Sequence, residues 1–389
     1  MMKLENRNIL VFADDFGRHP STMQHLGKVL AKNNRLMWIG SLALRKPTYK
    51  LHDIKRLIEK FRKIFLVRAS RESPIQTGNV LEVHPFVLPF HDIKIVRAIN
   101  DFLLIRTLKK KIKQNNFHVP ILISSSPIMY GLLGKLGETS SHYFCLDDYS
   151  LFKGAFKSLI ELENKLLEKV DSSFSVSMPL LKTRIPKSGI NNFLPQGVDI
   201  DHFFNINKTS AAKMDRIKKP IIGFFGLISE WVDLKIIDSL AKDYPDCSIV
   251  ILGDASVDIS SLRTYPNVHL VGKVPYDELP SYASRFDVGI IPFKINELTA
   301  AVNPLKLLEY LALGLPVVTT PMHEVEKFKD YIYIAHDLNE FTKMVEIAIK
   351  NDTEKMKEER KKVITHYSWE MITEGIGEII LEVEKGKVG

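Results

Sequence analysis

Lys306 and Glu309 lie three residues apart in a segment that reads as the start of a helix. Pro304 stands where a first helical residue is expected, and Gly314 stands where the helix should end. The start of a helix offers free backbone N–H groups and a positive dipole end, which attract anions. Lys306 adds a positive charge, and Glu309 on the same face can accept hydrogen bonds from two vicinal hydroxyls. This spacing fits a nucleoside diphosphate, but an ordinary surface ion pair would show the same spacing.

Acidic residues follow two of the predicted strands, at the strand ends where open α/β sheets bind ligands. Asp147 and Asp148 follow one strand, and Asp14 and Asp15 follow the first, with His19 in the same loop. A carboxylate placed there can act as the general base that takes a proton from an attacking hydroxyl. Because side chains alternate along a strand, only one member of a pair can face a ligand. Alternatively, the aspartate pair forms a turn without chemistry.

Other kinds of site find little support in the sequence. It contains no H-E-x-x-H motif and no aspartate-rich metal motif, and its two cysteines are too few for a zinc site or a disulfide framework. FADDFG after the first strand lacks the G-x-G-x-x-G of nicotinamide-dependent enzymes, and GFFG has only two of its glycines. We therefore expect no bound metal and no nicotinamide cofactor.

The composition is that of a globular protein, with 389 residues, 45% of them hydrophobic and 26% charged. This excludes a disordered or collagenous chain. No run of residues approaches the ~18–20 apolar residues of a membrane-spanning helix. The N-terminus leads directly into a predicted strand without the layout of a signal peptide. These features predict a cytoplasmic protein, soluble or peripheral to the inner face of the membrane.

Basic charge is concentrated in the first half of the chain. Residues 1–200 contain 31 lysines and arginines but 17 aspartates and glutamates, although the whole chain carries a net charge of only +8. The densest cluster ends a predicted helix over residues 95–114, whose apolar residues have helical spacing. Such a helix can lie on an anionic membrane surface. Alternatively, its apolar face packs on its own domain. No nucleic acid partner is expected, because no aromatic and basic interleaving or reader motif occurs.

Short apolar runs alternate with helical patterns twice along the chain. The first series begins with NILVFA (8–13) and the second with PIIGFFG (220–226), after a polar stretch without periodicity. Continuous apolar strands separated by helices indicate parallel sheets covered on both faces. We therefore predict an α/β protein of two tandem doubly wound, Rossmann-like domains, residues 1–200 and 201–365. A C-terminal helix, residues 366–389, is expected to pack back on the first domain.

The segment NPLKLLEYLALGLPVV (303–318) resembles the donor-site signature of glycosyltransferases with the GT-B fold. It is especially similar to the branch of teichuronic-acid biosynthesis enzymes, and more remotely to the xanthan glucuronosyltransferase. GFFGLISEWVD (223–233), NVHLVGKVPYDELPSYASRFDVGIIPF (267–293) and ELT (297–299) look like that branch too. YFCLDDYSLF (143–152) and PQGVD (195–199) resemble it less specifically.

The resemblance implies a glycosyltransferase that moves a sugar from a nucleotide-diphosphate donor, UDP in preference to GDP, to a polysaccharide or lipid-linked acceptor. Donor binding in such enzymes needs no bound metal. Asp147 or Asp148 would then be the base, and Asp14, Asp15 and His19 would contact the acceptor. The residues that match the donor site are Gly226, Leu227, Ile228, Val274, Thr299, Asn303, Pro304, Leu305, Lys306 and Glu309.

One position departs from the family pattern. Many retaining members have a further glutamate that faces the donor sugar, and Ala301 stands in its place. The basic residues that commonly follow the glycine loop are also absent from LISEWVD. Two alternatives to a glycosyltransferase therefore stay open, a nucleotide-sugar epimerase of the same fold and an inactive subunit that only binds the sugar nucleotide.

Overall fold

The computed structural model describes residues 3–17, 20–40, 76–151, 156–206, 211 and 214–388. The chain forms two compact units. The first consists of Met1–Val176, Leu180–Leu194 and Thr373–Gly389, and the second of Ser177–Pro179 and Pro195–Ile372.

An eight-stranded sheet forms the centre of the first unit, in the order β3-β4-β2-β1-β5-β6-β7-β8. All neighbouring strands are parallel except β3, which pairs antiparallel with β4. The strands are β1 (Asn8–Phe12), β2 (Arg35–Ile39), β3 (Gln76–Thr77), β4 (Val80–Val83), β5 (Ile121–Ser124), β6 (Ser140–Cys145), β7 (Ser172–Ser175) and β8 (Ile190–Phe193).

The second unit has a six-stranded parallel sheet in the order β11-β10-β9-β12-β13-β14. Its strands are β9 (Ile221–Phe225), β10 (Ser248–Leu252), β11 (Val268–Gly272), β12 (Val288–Ile291), β13 (Val317–Thr319) and β14 (Tyr333–Ile334). Numbered within the unit, this is the order 3-2-1-4-5-6 of dinucleotide-binding folds. The chain reverses direction across the sheet between β9 and β12, and ligands bind such folds at that point.

Twelve α-helices occur in the described residues. They are α1 (Thr22–Asn33), α2 (Lys94–Gln114), α3 (Lys157–Leu167), α4 (Met178–Thr183), α5 (Ile200–Phe204), α6 (Leu234–Asp243), α7 (Leu279–Ala283), α8 (Glu297–Ala300), α9 (Leu305–Ala312), α10 (Leu338–Asn351), α11 (Glu354–Ile364) and α12 (Trp369–Val388). None of these helices has the length and apolar character that crossing a bilayer requires.

Burial explains why the apolar runs of the sequence become strands. Every residue of β5, β9, β10 and β12 is buried, as expected for parallel sheets covered on both faces. Helices cover the sheets with one apolar face. In α6, Ile236, Ile237 and Leu240 are buried, and the Asp233 carboxylate caps the first turn by accepting the Lys235 amide at 3.0 Å.

The predicted fold class, two doubly wound α/β units in tandem, is confirmed. The C-terminal helix returns to the first unit, as expected, where the Glu384 carboxylate accepts hydrogen bonds from Arg7 and, at 2.6 Å, from Thr139. This helix is α12 (Trp369–Val388), and a 3-10 turn over Thr365–Tyr367 separates it from α11.

The apolar residues that helical spacing placed on one face of α2 are only partly buried. Its buried positions are Asn100, Leu104 and Leu108. Ile95, Ile99 and Phe102, which sequence spacing placed on one apolar face, are exposed at 73%, 44% and 61%. Leu103 and Ile105, which have the same helical spacing, are half-buried. The alternative in which the apolar face packs on its own domain therefore holds only for part of that face.

Candidate functional site

Helix α9 of the second unit begins without a side-chain cap. Pro304 has an extended backbone and is the N-cap, so Leu305 and not Pro304 is the first helical residue. A proline side chain cannot accept hydrogen bonds from the first amides of the helix, which an N-cap Ser or Asp would do. The N–H groups of Leu305 and Lys306 are therefore available to bind an external anion at the start of α9.

Lys306 lies at the carboxyl ends of β9 and β12. Its ammonium is 4.5 Å from the ring centre of Phe224 and 4.7 Å from that of Phe293, and both rings attract a cation. Burial lowers the pKa of Lys306 to about 8, although the charge of Glu309 acts in the opposite direction. The protein therefore holds a lysine ammonium in a partly dehydrated position.

One glycine makes room for this ammonium, and a second makes room for the backbone of the first. Gly226, directly after β9, has a φ of 120°, and a Cβ there would lie 3.2 Å from Lys306 Nζ. Gly253, directly after β10, has a φ of 147°, and a Cβ there would lie 2.1 Å from the Gly226 carbonyl oxygen. Side chains at either position would be strained by the backbone and crowded by these neighbours. At these two positions the loop beside Lys306 therefore presents backbone atoms without a side chain.

Glu309 is one turn further along α9. Burial raises its pKa to about 7, although the positive charge of Lys306 lowers it. Tyr310 fixes this turn to the sheet, since its buried hydroxyl accepts the Phe225 amide at 3.2 Å and donates to the Gly223 carbonyl at 3.3 Å. Glu309 is therefore partly dehydrated and rigidly placed.

Neither charge of this pair is satisfied by the described part of the protein. The Lys306 ammonium contacts only the two aromatic rings, and neither it nor the Glu309 carboxylate has a hydrogen bond or a close ion pair there. Partly buried charges are normally paired, because dehydration of an unpaired charge costs free energy. A ligand with negative charge for Lys306 and hydroxyls for Glu309 would satisfy both.

The other residues predicted for the donor site differ in how freely they can reach a ligand. Leu227 is 44% exposed, whereas Ile228 is 1% exposed and its amide donates to the Asp254 carbonyl at 2.9 Å. Thr299 is buried and its hydroxyl and amide form a capping box with Asn296 at the start of α8. Val274 packs partly buried against the core of the unit.

On the Gly253 side of this pair, the carboxyl ends of β10 and β11 line an open pocket of about 420 Å³. Apolar residues such as Ile228, Val257 and Leu270 line it together with a few polar side chains, among them Asp254 and Arg263. This mixture is typical of small-molecule sites. Sequence reasoning missed Asp254 and Arg263, although the Gly-Asp pair that directly follows β10 is a signal that could have indicated this position.

A second missed group lies close enough to Glu309 to be affected by its charge. Burial, and then the negative charges of Glu309, Asp199 and Asp277, raise the pKa of Tyr276 far above its usual range. The Tyr276 ring stacks on His202, with ring centres 4.5 Å apart, and a His202 ring nitrogen lies 2.9 Å from the Tyr276 carbonyl oxygen.

In the first unit, Asp147 and Asp148 have different surroundings. Asp148 is held by a network of charges, accepting hydrogen bonds from Arg184 at 2.7 Å and from the Ser150 amide at 2.9 Å. Arg184 also donates to Glu163 at 3.3 Å, and Glu163 accepts the Tyr143 hydroxyl at 2.6 Å. Asp148 therefore has a structural role at the turn after β6.

Asp147 is free of such partners. Its carboxylate makes no hydrogen bond to the residues that the structure describes, and the residue is exposed. The protein around it still restricts its hydration, and this effect, followed by the like charge of Asp148, raises the pKa of Asp147 to about 6. A carboxylate with that pKa can accept a proton near neutral pH.

The Gln24 side chain shapes the loop after β1. It accepts the Gly17 amide at 2.8 Å and donates to the Asp15 carbonyl at 3.0 Å and to the Asp14 carboxylate at 3.5 Å. The Asp15 carboxylate lies 3.9 Å from His84, at the end of β4.

Sequence reasoning missed His84, since β4 itself was missed. His19 lies outside the described residues. Within those residues, no three or more His, Cys, Asp or Glu side chains are grouped as metal ligands.

The second unit has the strand order of dinucleotide-binding folds. The uncapped start of α9 lies beside the point where the strand order reverses, and other folds of this kind hold phosphates at such a helix start.

Sequence comparison gives matches to parts of the chain. Residues 219–351 match the family described as glycosyl transferases group 1. Over 158 residues the chain is 32% identical to a putative teichuronic acid biosynthesis glycosyltransferase, TuaH, of Bacillus subtilis. That match covers 38% of this chain and 40% of the relative's length. The predicted similarity to the teichuronic-acid branch of GT-B glycosyltransferases is thus confirmed, and the more remote link to the xanthan enzyme stays a prediction.

Solved structures show the same fold over nearly the whole chain. Sucrose-phosphate synthase from Thermosynechococcus elongatus has a TM-score of 0.71 and 14% identity, covering 98% of this chain and 100% of that chain. Anabaena Alr3699/HepE in complex with UDP has a TM-score of 0.63 and 12% identity, covering 96% and 100%. At these identities the likeness shows the fold alone, which is that of GT-B proteins.

Proposed function

We propose that this protein is a glycosyltransferase that moves a sugar from a UDP-sugar to a hydroxyl of a polysaccharide or lipid-linked saccharide in cell-surface glycan synthesis. The observation that carries the proposal is the pair of unsatisfied charges, Lys306 and Glu309, at the uncapped start of α9. The group 1 glycosyltransferase match over residues 219–351 contains both residues. The UDP complex of the Anabaena protein with the same fold supports UDP as the nucleotide.

The donor would bind along the carboxyl edge of the second sheet. The diphosphate lies against the amides of Leu305 and Lys306, the Lys306 ammonium and the bare backbone of Gly226. The ribose hydroxyls donate hydrogen bonds to Glu309, and the base enters the pocket beside Asp254. Asn303, just before the helix, is placed to contact the diphosphate as well.

In the reaction, the acceptor oxygen forms a bond to the anomeric carbon of the sugar while the bond from that carbon to the diphosphate oxygen breaks. The electron pair leaves with UDP. Its new negative charge is stabilised by the helix start and by Lys306, which are already oriented before the reaction begins. If the configuration inverts, Asp147 takes the proton of the acceptor hydroxyl.

The first unit would bind the acceptor, with Asp14 and Asp15 near its hydroxyl groups. Asp147 is preferred to Asp148 as the base, because Arg184 and the Ser150 amide already occupy the Asp148 carboxylate. The cytoplasmic location predicted from the sequence is part of this proposal, as are donor binding without a metal and the absence of a nucleic acid partner.

Calorimetric titration with UDP and with GDP tests the donor site. Glu309→Gln should weaken UDP binding about 10- to 150-fold, the usual cost of losing hydrogen bonds to a charged group. Glu326→Gln is a matched control, since Glu326 is an exposed glutamate of the same unit. Equal UDP affinity in parent, Glu309→Gln and Glu326→Gln would exclude Glu309 from the site, and absence of binding by the parent would refute a UDP-dependent function.

A further inference from the structure

Helix α2 carries a continuous exposed stripe on the side opposite its buried face. The stripe follows helical spacing from one end to the other and contains Ile95, Ile99, Phe102, Arg106, Lys109, Lys110 and Lys113, all of them exposed. The buried face, with Asn100, Leu104 and Leu108, lies on the opposite side of the helix. The stripe is thus apolar in its N-terminal half and basic in its C-terminal half.

The apolar half extends beyond the helix. Phe90 and Ile93, in the segment that leads into α2, are 41% and 51% exposed. The buried Asn100 side chain fixes this segment to the helix, because it accepts the Leu88 amide and donates to the Leu88 carbonyl, both at 2.9 Å. Large exposed apolar side chains therefore occur both in this segment and on the stripe, which is more than the single scattered exposed residues that are normal on a protein surface.

The basic half has no acidic counterpart. Helix α2 contains seven lysines and arginines but a single acidic residue, Asp101. Asp101 packs near Gly131, where a Cβ would meet its carboxylate at 2.3 Å. None of the four basic side chains of the stripe forms an ion pair or hydrogen bond with the residues that the structure describes. In contrast, three of the four lysines of α11 pair with glutamates one turn away, as Lys357 does with Glu354 at 3.1 Å.

We propose that this stripe docks the protein on an anionic membrane surface, with Ile95, Ile99 and Phe102 in the headgroup and acyl boundary and the basic side chains on the lipid phosphates. Proteins bind anionic membranes by burying apolar side chains at the headgroup boundary and by attracting lipid phosphates with Lys and Arg. On α2 both kinds of side chain lie on one exposed side of the helix, end to end. A soluble acidic partner would account for the basic half but not for the adjacent apolar half. The proposal goes beyond sugar transfer, and it does not depend on which donor the second unit binds.

Sedimentation of the full-length protein with vesicles tests the proposal. The vesicles contain either neutral lipid alone or neutral lipid with roughly a third of anionic phosphatidylglycerol. The parent should sediment with the anionic vesicles, less so as salt rises, because screening weakens the attraction. Each basic side chain near the surface contributes about fivefold in affinity. The variant with Arg106, Lys109, Lys110 and Lys113 replaced by Gln should therefore bind several hundredfold more weakly, about 600-fold if the four effects multiply.

A matched control removes the same charge elsewhere. Lys235, Lys242, Lys329 and Lys343 are exposed lysines of the second unit, and replacing all four by Gln should leave vesicle binding unchanged within about twofold. The variant with Ile95, Ile99 and Phe102 replaced by Ser should also bind more weakly, and this loss should persist at high salt. UDP affinity should be the same in all of these variants.

Three results would overturn the proposal. The parent could fail to sediment with anionic vesicles, or the control could lose as much binding as the stripe variant, which would indicate a mere effect of net charge. The stripe variants could also change the molecular mass of the protein without vesicles, which would make this face a contact between two copies of the chain. Circular dichroism of each variant establishes that it is folded.

Discussion

The molecule contains two pairs of opposite charges in settings that restrict hydration, Lys306 with Glu309 and Arg184 with Asp148. The two pairs differ in whether protein groups form hydrogen bonds and ion pairs with their charges. Arg184 donates to both Asp148 and Glu163, so every charge of the first unit's network has a partner within the protein. Lys306 and Glu309 have no such bonds within the described residues. A satisfied network stabilises the fold, whereas an unsatisfied pair stays available to a ligand at a cost in stability.

The largest expected effect concerns Asp147, which lies beside the satisfied network and whose carboxylate has no hydrogen bond to the described residues. Asp147→Asn should lower turnover about 10²- to 10⁴-fold while UDP affinity is kept, because a general base is lost. Since the pKa of Asp147 is raised to about 6, the parent's rate should fall as the pH drops below that value, and this acidic limb should vanish in the variant.

Asp148→Asn provides the comparison for this prediction. It should mainly lower thermal stability, because Asp148 belongs to the network, and should keep the acidic limb of the pH–rate profile. If Asp147→Asn transfers sugar at a near-parental rate, the base lies elsewhere or the reaction proceeds with retention and without a protein base.

The next largest effect is a difference between the two charge pairs in how much each contributes to the free energy of unfolding. Arg184→Met leaves Glu163, whose side chain is 3% exposed, and Asp148 without their partner. It should destabilise the first unit by about 3–5 kcal/mol in urea unfolding. Lys306→Met removes a dehydrated charge without a partner, and we expect unchanged or slightly higher stability together with weaker UDP binding. A similar destabilisation by both substitutions would show that Lys306 is a structural residue.

The smallest effect is a pH dependence of donor binding. Glu309, with a pKa of about 7, must be ionised to accept the ribose hydroxyls, so affinity should decline as the pH falls below that value. Lys306, with a pKa of about 8, must be protonated to bind the diphosphate, so affinity should also decline above that value. Calorimetry with a UDP-sugar should therefore give a maximum between these two values. If affinity does not vary with pH, or if its pH dependence is the same in Glu309→Gln, the titration of these two groups does not control donor binding.

Much of this site could be predicted from the sequence because its chemistry is local. The helix start, Lys306 and Glu309 lie within a few residues of one another, and their spacing defines one face of a helix. Most strands of both sheets were predictable for a similar reason, since each is a short apolar run between helical patterns. The two-residue β3 and the polar β8, INNF, gave no such signal, and the four-residue β4, VLEV, was missed.

The remaining features depend on tertiary contacts between residues that are distant in the chain. Arg184 comes 36 residues after its partner Asp148, and nothing in the local pattern indicates which of two adjacent aspartates it holds. The orientation of α2 was not predictable either, because apolar residues lie on several of its sides and packing determines which become buried. The pocket beside Asp254 arises only when β10 and β11 are placed next to each other.

The most direct test of the central claim is a crystal structure of the protein with UDP. The account predicts diphosphate oxygens within about 2.7–3.2 Å of the Leu305 and Lys306 amides and of the Lys306 ammonium, with the ribose hydroxyls at the same distances from the Glu309 carboxylate. UDP bound with its diphosphate away from the start of α9, or with Glu309 making no contact to the ribose, would contradict it.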